Sequence, residues 1–176
     1  MKTRWLALSA AVVAVAAGLL PSGAASATDP LTLDSGYVTD AAGVLSASEK
    51  NAVETRLQEL TENSSADLFV VFVDEFTSPS DRVEWADTTA TRSNLGPDQY
   101  LLAIATDQRS YYISAAEGGP LSNSRLDDIE QEIQPLLAQD DWDGAILLAA
   151  DEIQGDGGAG ALQVFLVVVG LIALAL

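Results

Sequence analysis

The stretch DLFVVFVDE, Asp67 to Glu75, decides how the rest of the chain is read. It is apolar at every position from Leu68 to Val73, without the alternation of a strand wetted on one face, and so predicts a central strand covered on both sides. A second apolar run, YLLAIAT (100–106), follows SPSDRVEWADTTATRSNLG (78–96), which reads as a helix. In that helix Ser80 offers an N-cap, Val83, Ala86 and Ala90 an inner stripe, and Gly96 an exit. Strand, helix and strand joined by a crossover of this length predict a right-handed parallel unit. DQRS (107–110) then turns the chain into YYISAA (111–116), whose alternation suits an edge strand antiparallel to its predecessor.

Upstream lies YVTDAAGVLSASEKNAVETRL (37–57). Ser46 and Glu49 have the spacing of a capping box, and Val53, Leu57 and Leu60 recur on one face of a helix ending near Asn63. Downstream, Leu126, Ile129, Ile133 and Leu136 mark one helix, kinked or ended by Pro135. Trp142, Ile146, Ala149 and Ile153 mark another, with Asp141 as its cap. The expected fold is α/β: a three-layer αβα sandwich around a small mixed sheet.

The two ends are of another kind. MKTRWLALSAAVVAVAAGLLPSGAASA (1–27) has Lys2 and Arg4, an apolar run to Leu20, Pro21, and small residues at Ala25 and Ala27, the pattern of a cleaved secretory signal. Residues 159–176 carry no charge; as a helix they span about 27 Å, close to a hydrocarbon core of roughly 30 Å. A transmembrane segment is expected over 161–176, tethered by a glycine-rich linker at 155–160 to an α/β domain at 28–154. No Lys or Arg follows the span, which suggests a natural chain that continues past Leu176. The expected location is the cell membrane, single-pass, with the domain extracytoplasmic.

Charge and composition narrow the chemistry. All 26 acidic residues follow Ala27, whereas two of the eight basic ones precede it, leaving 6 basic against 26 acidic residues and a net charge of −20. Such a surface repels nucleic acid and anionic headgroups and attracts cations. With no cysteine, thiolate chemistry and disulfides are excluded. With no histidine, the commonest general base and every Ser-His-Asp arrangement are excluded as well. QDDWDG (139–144) begins like a calcium-binding EF-hand loop, but its twelfth position falls on Ala150 rather than glutamate. No glycine-rich phosphate loop with its lysine is present, and GDGGAG (155–160) reads as a linker. Trp85, Tyr111 and Tyr112 read as packing residues, and Arg109 as the partner of a nearby surface acid.

In a sheet of this type ligands gather beyond the carboxyl ends of the parallel strands. Asp74 and Asp107 lie at those ends, and the loop holding Asp40 is placed to reach the same edge. Taken singly they are ordinary turn aspartates. Taken together they are an oxygen-only donor set for a hard divalent cation such as calcium, with Asp40, Asp74 and Asp107 as candidate ligands.

In order, YVTDAAGVLS (37–46), LFVVFVDEF (68–76), LGPDQYLLAIATDQRSYYISA (95–115) and DDWDGAILLA (140–149) resemble the TPM domain, over about Gly36 to Ile153. The resemblance implies a Rossmann-like strand arrangement. It also implies the roles linked to that family: calcium binding, acid phosphatase activity and photosystem repair in chloroplast lumens, and accessory functions for membrane proteins. By match of motif it carries a divalent-ion site over to Asp40, and to Asp74 and Asp107. Two departures are noted, Gln99-Tyr100 where many members have Asn-Gly, and SAAEGGP (114–120) where many have a glycine-rich stretch ending in Glu. Both are expected beside the site. Two functions follow as expectations: a non-catalytic, membrane-tethered binding or accessory module with a calcium site and an envelope-protein partner, or a metal-dependent acid phosphatase, a phosphomonoesterase.

Overall fold

The computed structural model describes residues Ala27–Gly155. The expected signal at 1–27, save its last residue, and the expected transmembrane segment at 161–176 lie outside them, as does the linker beyond Gly155. Among the described residues no helix is long and apolar enough to cross a membrane.

The elements run β1 (Ala27–Thr28), β2 (Val38–Asp40), α1 (Ala47–Asn63), β3 (Asp67–Val73), β4 (Glu75–Phe76), α2 (Arg82–Arg92), β5 (Gln99–Ala105), β6 (Ser110–Ala115), α3 (Asn123–Leu137) and α4 (Trp142–Gln154). A four-stranded sheet has the order β2-β3-β5-β6, with β1 and β4 paired apart from it. β2, β3 and β5 are parallel, and β6 returns antiparallel to β5. The fully apolar run is thus a central strand. Val70 and Phe72 face one core with α1, α3 and α4, and Val71 and Val73 face a second core with α2.

Several local signals act as the sequence implies. Ser46 closes a full capping box with Glu49, and Asp141 accepts from the Gly144 N–H at the head of α4. A Cβ on Gly144 would lie 2.5 Å from the Asp141 carboxylate, so a larger residue there would displace the capping side chain. The Arg56 guanidinium ties α1 to α4 through Asp151 at 2.6 Å, and Arg125 pairs with the buried Glu152 to tie α3 to α4.

Helix α2 corrects the reading of its own segment. Asp81, not Ser80, is the N-cap, its carboxylate accepting from Val83 and Glu84. The buried residues are Trp85, Ala86 and Thr89, while Val83 is 37 % exposed. The reason is the indole: turning Trp85 inward buries far more apolar area than Val83 offers. Its Nε1–H also finds a partner in the Thr28 carbonyl at 2.8 Å. The helix stops at Arg92 with Ser93 as cap, short of Gly96. In α3 the last buried position is Leu137 rather than Leu136, Pro135 being held in the final turn.

Both edges of the sheet are plugged by side chains. At the β2 edge Glu54 accepts from the N–H groups of Tyr37 and Val38, at 2.9 and 3.0 Å. At the β6 edge Glu130 accepts from the Ile113 N–H at 2.7 Å, and Arg82 donates to the Tyr111 carbonyl at 3.1 Å. Open strand edges invite pairing with other chains, and inward-reaching charged side chains block it. Burial pushes the Glu130 carboxyl above its ordinary value, against the lowering by the Ile113 N–H and Arg82, and Asp127 adds to the rise. A raised folded value means that the folded chain holds this proton more tightly than the unfolded one. The contribution of Glu130 is therefore present below its unfolded value and is lost as pH rises through the folded one. Urea midpoints measured on the chain and on Glu130→Gln are expected to diverge across that window, with the variant lacking this part of the decline.

Candidate functional site

Strand β2 is only three residues long, yet it fixes where Asp40 lies. Its parallel register sets Asp40 opposite Phe72, and the N–H groups of Ala41 and Ala42 both donate to the Phe72 carbonyl, at 3.0 and 3.3 Å. Asp74 follows two residues beyond Phe72, and β5 ends beside it, so that the Asp107 N–H donates to the Asp74 carbonyl at 3.0 Å. Three neighbouring parallel strands thus have an aspartate at their end or within two residues of it, at one edge.

The Asp40 carboxylate already has work there. Oδ1 accepts from the N–H groups of Gly43 and Val44 at 2.8 and 3.2 Å, and Oδ2 from that of Leu45 at 3.0 Å. Gly43 has φ +68, a conformation open to glycine and strained for most other residues. Asp40 therefore organises the loop leading into α1. Of the roughly four lone-pair directions on a carboxylate, three are used, which leaves one on Oδ2. Asp74 is half-buried and Asp107 exposed. As placed, no three carboxylates among the described residues are gathered closely enough to hold an ion.

The same edge includes groups that the sequence did not single out as part of it. Trp142, opening α4, sets its ring edge-on to Phe72 with centroids 6.0 Å apart, which brings the head of α4, with Asp143, behind the strand ends. Arg109, in the β5–β6 turn, pairs with Asp140 at 3.0 Å and donates to the Leu137 and Ala138 carbonyls that end α3. This is the surface pairing expected of it, with an added role at the negative end of a helix. The cue lay in QDDWDG, whose acids follow α3 directly.

The two departures noted in the sequence lie elsewhere, contrary to expectation. Gln99 opens β5, and residue 116 follows β6 directly, at the other end of the seven-residue β5, about 20 Å from Asp107. Parallel β5 and antiparallel β6 necessarily put the start of one beside the end of the other.

Comparison with known proteins agrees with this layout. The family model of the TPM domain matches residues 38–156. The UPF0603 proteins MT2410 and Rv2345 of two Mycobacterium tuberculosis strains are each 37 % identical over 139 residues, covering 78 % of this chain. The chain spans 21 % of the length of these relatives. Among solved structures, the N-terminal domain of the cg2496 protein from Corynebacterium glutamicum matches with a TM-score of 0.60 at 24 % identity, over 74 % of this chain and 89 % of that one. The N-terminal domain of a protein from P. gingivalis gives 0.60 at 20 % identity, over 72 % and 84 % of the two chains. These two structures share the fold. With a family match across the whole sheet and all four helices, the chain belongs to the TPM domain family.

Proposed function

We propose that the domain is a non-catalytic binding or accessory module, tethered outside the cytoplasmic membrane, whose acidic strand-end edge takes up calcium. The observation that carries this reading is the alignment of Asp40, Asp74 and Asp107 at the ends of three adjacent parallel strands. Oxygen is the only strong donor type available, because the chain has neither histidine nor cysteine. Calcium accepts six to eight oxygens in adaptable geometry, whereas magnesium demands a near-ideal octahedron. Carboxylates at three separate strand ends that are not gathered in advance suit the adaptable ion. Asp40 would supply the remaining lone pair of Oδ2, with Asp74 and Asp107 supplying further oxygens.

Calorimetric titration of calcium into a fragment of residues 28–154 tests this. Binding is expected with Kd of about 10⁻⁴–10⁻³ M, the range of extracellular modules, and is expected to disappear in Asp107→Asn. That residue is exposed, so its loss leaves the fold intact. Absence of heat and of any change in melting temperature at millimolar calcium would remove the cation from the reading. Metal-dependent turnover of a phosphomonoester, lost in the same variant, would instead assign the edge to phosphoester hydrolysis.

A further inference from the structure

A concave feature lies at the end of the sheet opposite to Asp107, between the C-terminal half of α2, the start of β5 and the end of β6. Its volume is about 200 Å³, and its polar walls are Asp87, Thr91, Gln99 and Ser114, with Leu95 and Ala115 among the apolar ones. Ser114 is 3 % exposed and forms the floor. Its hydroxyl donates to Asp87 Oδ1 at 2.6 Å, fixing the carboxylate and leaving the serine oxygen free to accept. Gln99 is fixed too: its Oε1 accepts from the Gly96 N–H at 2.9 Å, and its NH₂ donates to Asp67 at 3.1 Å. The amide donors are thereby directed at Asp67, and the cavity is left rich in acceptors. None of the described residues lining it is basic.

We infer that this cavity binds the cationic tip of an alkyl chain, a primary ammonium or a guanidinium. The size decides against larger ligands, since cofactor and drug-sized sites occupy roughly 300–1,000 Å³. Charge decides against anions, because the one ionised wall group is Asp87. A single carboxylate is too few for a resident divalent metal. What remains is a group carrying several N–H donors and one positive charge, which Asp87, Ser114, Thr91 and the Gln99 oxygen can each accept from. The apolar walls at Leu95 and Ala115 then receive the methylenes behind the charge. The chemistry is shared by a free alkylamine and by a lysine or arginine side chain of another protein.

Nuclear magnetic resonance on the full chain in zwitterionic detergent tests the inference with butylammonium, agmatine, tetramethylammonium and the peptide Gly-Gly-Lys-Gly-Gly. Saturable shifts are expected at the amides of Gly96, Gln99, Ser114 and Ala115 with butylammonium and agmatine, at millimolar Kd in physiological salt. Tetramethylammonium, which has the charge without N–H donors, is expected to leave them still. Binding should fall at least tenfold in Asp87→Asn, about 1.4 kcal/mol, and stay unchanged in Asp128→Asn, which removes an equal charge from the surface of α3. Tighter binding of the peptide than of butylammonium points to a protein side chain as the natural occupant, and the reverse to a free amine. An equal response to tetramethylammonium, shifts spread over the acidic surface, or undiminished binding in Asp87→Asn overturns the inference. Ser114→Ala, which keeps the charge but frees the carboxylate, should weaken binding severalfold with the spectrum otherwise retained.

Discussion

Trp85→Ala is expected to lower the stability of the domain by about 3–5 kcal/mol, the usual cost of emptying a large aromatic site in a packed core. The indole is fully buried and lies against Phe76 with ring centroids 4.7 Å apart. It is also the hydrogen-bond donor to the Thr28 carbonyl, so its removal takes away a tie that holds the N-terminal segment on the sheet. The consequence should be local as well as global. β1 pairs with β4 through only two residues, and the Leu31 and Leu33 side chains pack on the same core as Trp85. Limited proteolysis of the variant is therefore expected to cut between Thr28 and Leu33 before the rest of the domain opens. Trp85→Phe keeps much of the ring and loses the donor; a loss of about 1–2 kcal/mol is expected from the missing hydrogen bond and the smaller volume, the Thr28 carbonyl keeping the Thr77 N–H. Urea denaturation measures both. Equal stability of the alanine variant and the parent chain would mean that the second core does not depend on this residue.

Asp40→Ala is expected to be the most damaging of the site substitutions, at about 2–4 kcal/mol. Hydrogen bonds to a charged acceptor contribute about 1.5–3 kcal/mol each, and the sum of three is reduced here because water reaches part of the loop. The three N–H groups of Gly43, Val44 and Leu45 lose their acceptor together, just before the Ser46 cap of α1. Asp40→Asn keeps the shape but exchanges one acceptor oxygen for a donor, and should lie between the parent and alanine. Urea midpoints in the absence of metal measure this structural role. The proposed calcium uptake is read separately from Asp107→Asn, in which the Asp40 loop is untouched.

Much of the architecture was legible because its signals are local. The unbroken apolar run from Leu68 to Val73 marks a strand covered on both faces, and the structure packs a core on each. Ser46 with Glu49, Asp141 and the antiparallel return into β6 also read correctly from a few adjacent residues. In α2 the expected stripe is present at Ala86 and Ala90 but not at Val83, because a tryptophan at the neighbouring position, Trp85, takes the interior instead. β2 was not legible as a strand: three residues are too few for any period to appear.

The candidate edge divides in the same way. That β3 and β5 end in acids is written in the chain, and so is the oxygen-only chemistry, since a sequence without histidine or cysteine can offer a cation nothing stronger. That Asp40 joins them was decided by the register of β2 on β3, a contact between segments thirty-two residues apart, Asp40 and Phe72. Tertiary pairing alone also made Asp40 the acceptor for its own loop, and it moved Gln99 and the end of β6 to the far side of the sheet. Hydrophobic period and capping depend on neighbours along the chain, so sequence alone determines them. Which strand ends meet depends on how separate strands align, and that alignment exists only when the backbone hydrogen bonds between them have formed.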